Sequence, residues 1–404
     1  MKLLFLTPQP PYPPNKGTAM RNYGLISGLG ARHEIDLLTF AEANDLRSAR
    51  SSPLAGLCRR IDALPAPRRS TAQRALTTLV SPWPDMALRL WLAPFADRLA
   101  AWLRECDYDV VQTEGIEMAR YGLLAHRLAP GARWMFDDHN AEWLLQRRTY
   151  EAERQLRGWS AGAVYSLIQT WKLKGFERRV CRAADRIMAV SQIDAAAIRQ
   201  LDPTLRVGVA ANGIDTTAYR PGAVTPMDYG FPALVFSGTM DFRPNVDAAL
   251  WFATNVLPKI RSTLPEAEFV IVGQRPHARL DPLRNRPGIR ITGAVDDVRP
   301  FIAGAAVCVT PLLMGGGTRL KVLEALALGV PVVSTSMGVD GFEVEHRREV
   351  LIADDPVRFA AEVLRAIGDA GLRRTLTERG RQFVEERYDW SVIVPKMEEA
   401  YSKW

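Results

Sequence analysis

The densest run of chemistry-bearing residues lies between Pro311 and Gly329. Three consecutive glycines, Gly315, Gly316 and Gly317, follow a β-branched run that ends at Thr310. Thr318 then stands where a helix N-cap is expected, and Gly329 where that helix should close. Glycines let backbone N–H groups approach a ligand closely, and a helix N-terminus carries partial positive charge. Arg319 and Lys321 add full charges at the same end, against the helix dipole, so helix stability does not account for them. A bound anion does. Lys321 and Glu324 share a helix face; the plainer alternative is an ordinary loop with an ion pair.

Two further loops follow strand-like runs at their carboxyl ends, where open α/β sheets bind ligands. Thr7–Thr18 is stiffened by prolines, and Gly17 can present its N–H to a phosphate or a sugar. Lys16 stands beside it. Arg21, one turn on, reads either as an acceptor or phosphate contact or as a solvated arginine. Phe136–Glu142 sets His139 behind two acids, which suits a base, a metal ligand or a structural residue. No second histidine lies nearby in the sequence, which speaks against a metal. The pairs Asp137-Asp138, Asp296-Asp297 and Asp354-Asp355 read as caps and turns.

These loops need strands and helices to aim them. Strand-like runs fall at Lys2–Leu6, Ile35–Phe40, Asp109–Gln112, Trp134–Phe136, Arg186–Val190 and Val207–Ala210. A second series falls at Leu234–Phe236, Phe269–Val272, Ile289–Thr292, Val307–Thr310, Val330–Ser334 and Val350–Ile352. Helical patterns such as Ala248–Leu257 and Leu320–Leu328 alternate with them. The alternation occurs twice, which predicts two doubly wound parallel-sheet domains of Rossmann-like α/β type in tandem. The length of 404 residues suits two such domains. The expected division is 1–216, a Pro- and Gly-rich linker at 217–232, 233–385, and a C-terminal helix at 386–404 packing back on the first domain.

Residues 59–105 and 143–182 mix Arg and Lys with Trp, Leu and Ile at helical spacing. They read as amphipathic helices with one face in the core, or as a basic, aromatic surface for anionic lipid. The net charge of +7 calls for an anionic partner: nucleic acid, substrate or membrane surface. The four scattered cysteines form no CxxC pair and fit a reducing compartment. The apolar run Leu3–Leu6 is too short for a signal peptide, and no run approaches the ~20 apolar residues of a membrane span.

The segment from Gly315 to Thr335 (GGGTRLKVLEALALGVPVVST) resembles the nucleotide-binding signature of retaining glycosyltransferase family 4, which has the GT-B fold. Ala184–Ser191, Asn212–Asp215, Val235–Met240, Phe269–Gly273 and Ile291–Asp297 resemble further family segments in the same order. The resemblance spans nearly the whole chain. It implies two domains facing across a cleft and transfer of a sugar from a UDP- or GDP-sugar to an acceptor hydroxyl, with retention, in bacterial exopolysaccharide or glycolipid assembly. It also implies that the leaving phosphate takes the acceptor's proton and that no metal cofactor is obligatory.

The family's second glutamate, which accepts hydrogen bonds from ribose, is matched by Glu324. The first, which touches the donor sugar, is replaced by Gly316. The family's Arg and Lys after the first donor-domain strand are replaced by residues near Thr239 and Asn245, with Arg243 close by. Charge logic then assigns part of the diphosphate to Arg319 and Lys321. Donor binding is expected at Gly17, Gly238, Arg243, Gly273, Val295, Gly316, Gly317, Thr318, Leu320 and Glu324. Catalysis is expected at His139, Lys321 and Arg319, and acceptor contact at Lys16 and Arg21. The expected partners are a nucleotide-sugar, a saccharide or lipid-linked acceptor and an anionic membrane surface, with a cytoplasmic location.

Other classes fit less well. A nicotinamide oxidoreductase would show G-x-G-x-x-G after the first strand, where this chain is Pro-rich. The P-loop pattern is absent, and no nucleic-acid-binding motif accompanies the basic charge. A GT-B nucleotide-sugar epimerase or a silent donor-binding homologue stays open at this level.

Overall fold

Strands buried on both faces of a parallel sheet read as near-continuous apolar runs, and such runs build both sheets of the protein. The computed structural model describes residues 1–14, 17–42, 52–315 and 317–402. Lys16 and Gly316 lie outside the described residues. The chain divides into two compact units, Met1–Gly213 with Trp390–Trp404, and Ile214–Asp389. Segment 217–232 therefore lies within the second unit, where Met227 N–H donates to the Pro300 carbonyl at 2.9 Å and the Tyr229 hydroxyl to that of Phe301 at 3.1 Å.

The first unit is built on β1 (Lys2–Thr7), β2 (Glu34–Phe40), β3 (Arg60–Leu64), β4 (Val110–Glu114), β5 (Arg133–Asp138), β6 (Arg186–Ala189) and β7 (Val207–Val209). They form one parallel sheet in the order β3-β2-β1-β4-β5-β6-β7. Strand periodicity of two sends Leu3 and Phe5 to one face, with Leu25 and Ile26 of helix Gly17–Leu29. Leu4 and Leu6 go to the other, with Phe95 and Tyr121. Helix Trp390–Ser402 returns to this unit and lies on helix Gly17–Leu29, where a Cβ on Gly24 would fall 2.0 Å from Trp390 Cε2. Only glycine allows that approach.

The second unit holds β8 (Ala233–Ser237), β9 (Glu268–Val272), β10 (Ile289–Ile291), β11 (Val307–Thr310), β12 (Val332–Ser334) and β13 (Leu351–Ile352). They are parallel, in the order β10-β9-β8-β11-β12-β13. Phe236, Phe252, Phe269 and Phe359 fill one core. In both sheets the order reverses beside the first strand, at β1/β4 and at β8/β11. A crevice opens at such a switch point, outside the carboxyl ends of the strands.

The two basic, aromatic regions hold more than amphipathic helix. Residues 60–64 are β3, an edge strand, and the rest forms helices Thr71–Val80, Asp85–Arg89 and Ala93–Glu105. Residues 142–183 form the hairpin Glu142–Arg157 and Ala161–Ala183. Trp102 is buried, Trp91 stacks on Tyr121 at 4.9 Å, and Trp83 meets Phe176 edge-on at 5.4 Å. Those three tryptophans are packing residues. Trp159 and Trp171 are 67% and 79% exposed.

Candidate active site

At the β8/β11 switch point, four elements bring together the residues expected to hold a donor. β8 ends at Ser237 and turns through Gly238 (φ 152°), which lies against Gly273 at the end of β9. A Cβ on Gly273 would sit 1.7 Å from the Gly238 carbonyl oxygen, and one on Gly238 would sit 3.0 Å from Lys321 Nζ. Both glycines are thus required by close approach. Helix Arg243–Trp251 follows, and its Asn245 accepts from Lys321 Nζ at 2.8 Å while donating to the Thr239 carbonyl at 3.0 Å. Arg243 opens that helix and pairs with Asp247 at 3.5 Å.

The loop after β11 leads into helix Leu320–Ala327. Its N-cap is Arg319, which makes no side-chain cap hydrogen bond; the cap expected at Thr318 falls one residue early. Gly315 and Gly317 adopt φ 129° and 74°, backbone that disfavours any other residue. Arg319 is buried and donates to the carbonyls of Gly317 and Met337. The helix closes on a Schellman motif: Gly329 has φ 71°, its N–H donates to Leu326, and Val330 N–H donates to Ala325. Burial pushes the Lys321 ammonium down to about 7, with Glu324 opposing and Arg319 adding to the fall. Burial pushes the Glu324 carboxyl up, with Lys321 opposing. Tyr219 donates to Glu324 Oε1 at 3.4 Å. Val295 lies in the loop after β10, two residues before Asp297, which pairs with Arg299 at 2.7 Å.

The switch point of the first unit carries a second cluster. Helix Gly17–Leu29 starts at Gly17, just beyond the carboxyl end of β1. Arg21 does not face a ligand. It is 1% exposed, binds both oxygens of Asp137 at 2.8 Å, and donates through Nη1 to the carbonyls of Ala210 and Ala211. Its donors are used inside the unit, so it fixes β5 and the chain after β7 to the helix and is not an acceptor contact. Asp137 is its buried counter-ion rather than a turn residue. His139, 13% exposed, meets buried Glu114 at the end of β4, with Nε2 2.8 Å from Oε2.

Glu114, Asp137 and His139 bring ligand atoms within 4.8 Å of one another. Both Asp137 oxygens already face the Arg21 guanidinium, however, so a second cation there would meet a positive charge. Asp138 is also no cap: it is fully buried beside Glu177, and burial together with Glu177 holds its carboxyl well above the usual range. Asp355 does cap helix Pro356–Gly368, accepting from Val357 and Arg358.

Several site residues carried little signal. Tyr219 sits in a stretch without periodicity. Asn245 stood only as a departure from a pattern. Glu114 was detectable in principle: a carboxylate closing an apolar parallel strand and followed by glycine is rarely buried without a partner.

Comparison with known proteins fits this architecture. A family model described as "Glycosyltransferase Family 4" matches residues 16–218, and one described as "Glycosyl transferases group 1" matches residues 231–369. An uncharacterized 44.6 kDa protein in the cps region of Klebsiella pneumoniae is 21% identical over 411 residues, covering 96% of each chain. The phosphatidyl-myo-inositol mannosyltransferase of Propionibacterium freudenreichii subsp. shermanii is 26% identical over 235 residues, covering 55% of this chain and 58% of that protein. The solved structure of Anabaena Alr3699/HepE in complex with UDP-glucose superposes with a TM-score of 0.66 at 16% identity, covering 100% of both chains.

Two tandem parallel sheets of Rossmann type, each with a cluster of polar residues at its switch point, define a GT-B protein. The chain belongs to glycosyltransferase family 4 and is a glycosyltransferase.

Proposed function

We propose that the protein transfers a sugar, with retention, from a UDP- or GDP-sugar to an acceptor hydroxyl in polysaccharide or glycolipid assembly. The observation that carries this is the placing of buried Lys321 and Glu324, three residues apart on helix Leu320–Ala327, beside a glycine loop at the switch point. Glu324 accepts from the ribose hydroxyls. Backbone N–H groups at Gly317, Thr318 and Leu320, with Arg319 and Lys321, face the diphosphate, where preorganised charge matters most as the phosphate leaves. Gly238 and Gly273 bring their backbone to the nucleotide, Val295 lines its base, and Arg243 approaches the phosphates. His139, at the carboxyl edge of the first sheet, contacts a sugar hydroxyl. The leaving phosphate takes the acceptor's proton.

The relative in a cps region supports the polysaccharide reading, and the phosphatidyl-myo-inositol mannosyltransferase supports a lipid-linked acceptor. The UDP-glucose complex supports the donor class. Among the described residues no helix is long and apolar enough to cross a membrane. The reading places the enzyme at the cytoplasmic face, resting on anionic lipid through helices of the first unit.

The test is a thermal-shift panel of UDP-, GDP- and ADP-sugars, since a ligand at 100 times its Kd stabilises by about 2.7 kcal/mol. The matching donor should then give a product with the donor's anomeric configuration by NMR. Glu324→Ala should weaken nucleotide binding by about 1.5–3 kcal/mol, the worth of a charge-assisted hydrogen bond. Arg319 and Lys321 supply the positive charge in this reading, so turnover should survive exhaustive chelation. An inverted product, or unchanged nucleotide affinity in Glu324→Ala, would refute the corresponding part.

A further inference from the structure

A buried row of hydrogen bonds ends at His139. Its Nε2 lies 2.8 Å from Glu114 Oε2. Glu114 Oε1 accepts from Gln112 Nε2 at 2.5 Å, and Gln112 Oε1 accepts from the Tyr401 hydroxyl. Gln112 and Glu114 are successive inward positions of β4, and Tyr401 lies on helix Trp390–Ser402. All three are buried. Turned so that its amide nitrogen faces the carboxylate, Asn22 also donates to Glu114 Oε2, at 2.7 Å.

The direction of this row is set by its chemistry. A tyrosine hydroxyl gives its proton to the amide oxygen, the amide nitrogen gives one to the carboxylate, and the carboxylate can only accept. Burial and Asp137 push the Glu114 carboxyl up, with His139 and Arg21 opposing; with Glu114 ionised, the imidazole nitrogen facing it is the one that carries hydrogen. Asp137 Oδ2, at 4.0 Å from Nε2, is too far to compete, and both Asp137 oxygens accept from Arg21. Nδ1 makes no hydrogen bond to another described residue and lies 3.7 Å from where a Cβ of Gly115 would be.

We propose that Glu114 is a positioning residue for glycosyl transfer: it accepts the Nε2 proton of His139 and so holds Nδ1, with its lone pair, as the acceptor for a sugar hydroxyl. The proposal rests on the reading that places His139 at a sugar hydroxyl. It adds that the histidine's tautomer is fixed from behind by a row anchored on the C-terminal helix. The charged and titratable groups around the pair are Asp137 on β5, Arg21 on helix Gly17–Leu29, Glu117 beyond Gly115 and Tyr401. Arg21 and Asp137 neutralise one another, which leaves Glu114 as the local partner of the ring.

The tautomer can be read without turnover. In protein labelled with 15N-histidine, one of five imidazoles should vanish in His139→Gln, which assigns it. In the wild type the neutral form of that ring should carry hydrogen on Nε2 and show a pyridine-like Nδ1. In Glu114→Gln the carboxamide can donate as well as accept, so the ring should lose its fixed tautomer and Nδ1 its purely pyridine-like signal. kcat should fall about tenfold, with nucleotide affinity unchanged. Tyr401→Phe should fall in the same direction by less. A wild-type ring protonated on Nδ1 overturns the proposal while leaving the donor site intact. So does a Glu114→Gln ring that keeps the wild-type tautomer. Full activity in His139→Gln removes the histidine from the reaction and overturns the proposal together with the reading beneath it.

Discussion

Lys321 is a cation kept in a place that disfavours cations. Burial lowers its value to about 7, so near pH 8 much of the free enzyme carries a neutral amine there. A diphosphate against it would raise the value again, and binding would take up a proton in the window between the two values. Nucleotide affinity should therefore fall as pH climbs from about 7 toward 9, with up to roughly one proton taken up near pH 8. Calorimetry in buffers of different ionisation enthalpy reads that proton directly, and Lys321→Met should abolish it. A wild type that binds nucleotide with no uptake would move the phosphates away from Lys321. The acids behind His139 give a second effect of opposite origin. Burial raises Asp138 well above the carboxylate range, Glu177 to about 7 and Glu142 to about 8. A carboxyl raised on folding costs nothing below its unfolded value near 4, and costs progressively more as pH rises to its folded value. Melting temperature should thus decline from about pH 5 to 8. Asp138→Asn keeps the neutral form in place, so it should flatten that decline and raise the melting temperature at pH 8. An unchanged slope would show that the Asp138–Glu177 pair does not hold a proton.

Each cluster stands where an element stops, and the stops are set by glycines and by packing. Helix Gly17–Leu29 meets helix Trp390–Ser402 through Gly24 under Trp390 and Gly28 under Val394. Gly24→Ala would force Trp390 aside at a cost of about 1–3 kcal/mol, as overpacking does. Hydrogen exchange along 390–402 should then accelerate by about ten- to a hundredfold if the helix opens locally. Exchange that rises evenly over the whole unit would contradict that local account. Where elements were fully buried, the sequence was a good guide: Leu3–Leu6, Val307–Thr310 and Phe269–Val272 are apolar runs because both faces of a parallel sheet are covered. It was a poor guide at edges and ends. β3 carries Arg60 and Asp62 because an edge strand is half solvated and charges discourage further pairing, so it blends into a charged helical stretch. The Thr318 cap was misplaced because Arg319 takes the cap position without a side-chain bond. Arg21 and Asp137 carry no local pattern at all. They lie 116 residues apart, and only the sheet brings them together.

Across the whole molecule the remaining question is where a surplus of +7 is used. Much of the basic surface is already paired. Arg69 and Arg74 bind Asp85, and Lys172 donates to the carbonyls of Thr78 and Ser81. Lys172 thereby ties helix Thr71–Val80 to helix Ala161–Ala183, and apolar side chains remain outside that joint. Leu76, Leu79 and Val80 are 59%, 78% and 71% exposed, and Trp171 is 79% exposed. Arg68, Arg147, Arg148 and Lys174 come from the same stretches of chain. Exposed apolar side chains within basic stretches of chain match the boundary of an anionic bilayer, where chains insert and ammonium or guanidinium groups stay at the headgroups. Each basic residue near such a surface contributes about 1 kcal/mol, and each inserted large apolar side chain about 1.5–3 kcal/mol. The protein should therefore sediment with vesicles containing anionic lipid at low salt, much less with neutral vesicles, and release in part at high salt as screening removes the charge contribution. Leu79→Ser with Trp171→Ser should weaken vesicle binding by about a hundredfold, from two lost insertions. The double variant should keep its melting temperature and its turnover on a soluble acceptor, because these side chains pack against little of the protein. Retention in the supernatant with anionic vesicles at low salt would refute the membrane reading. Undiminished binding by the double variant would show that charge alone, not the exposed apolar ridge, makes the contact.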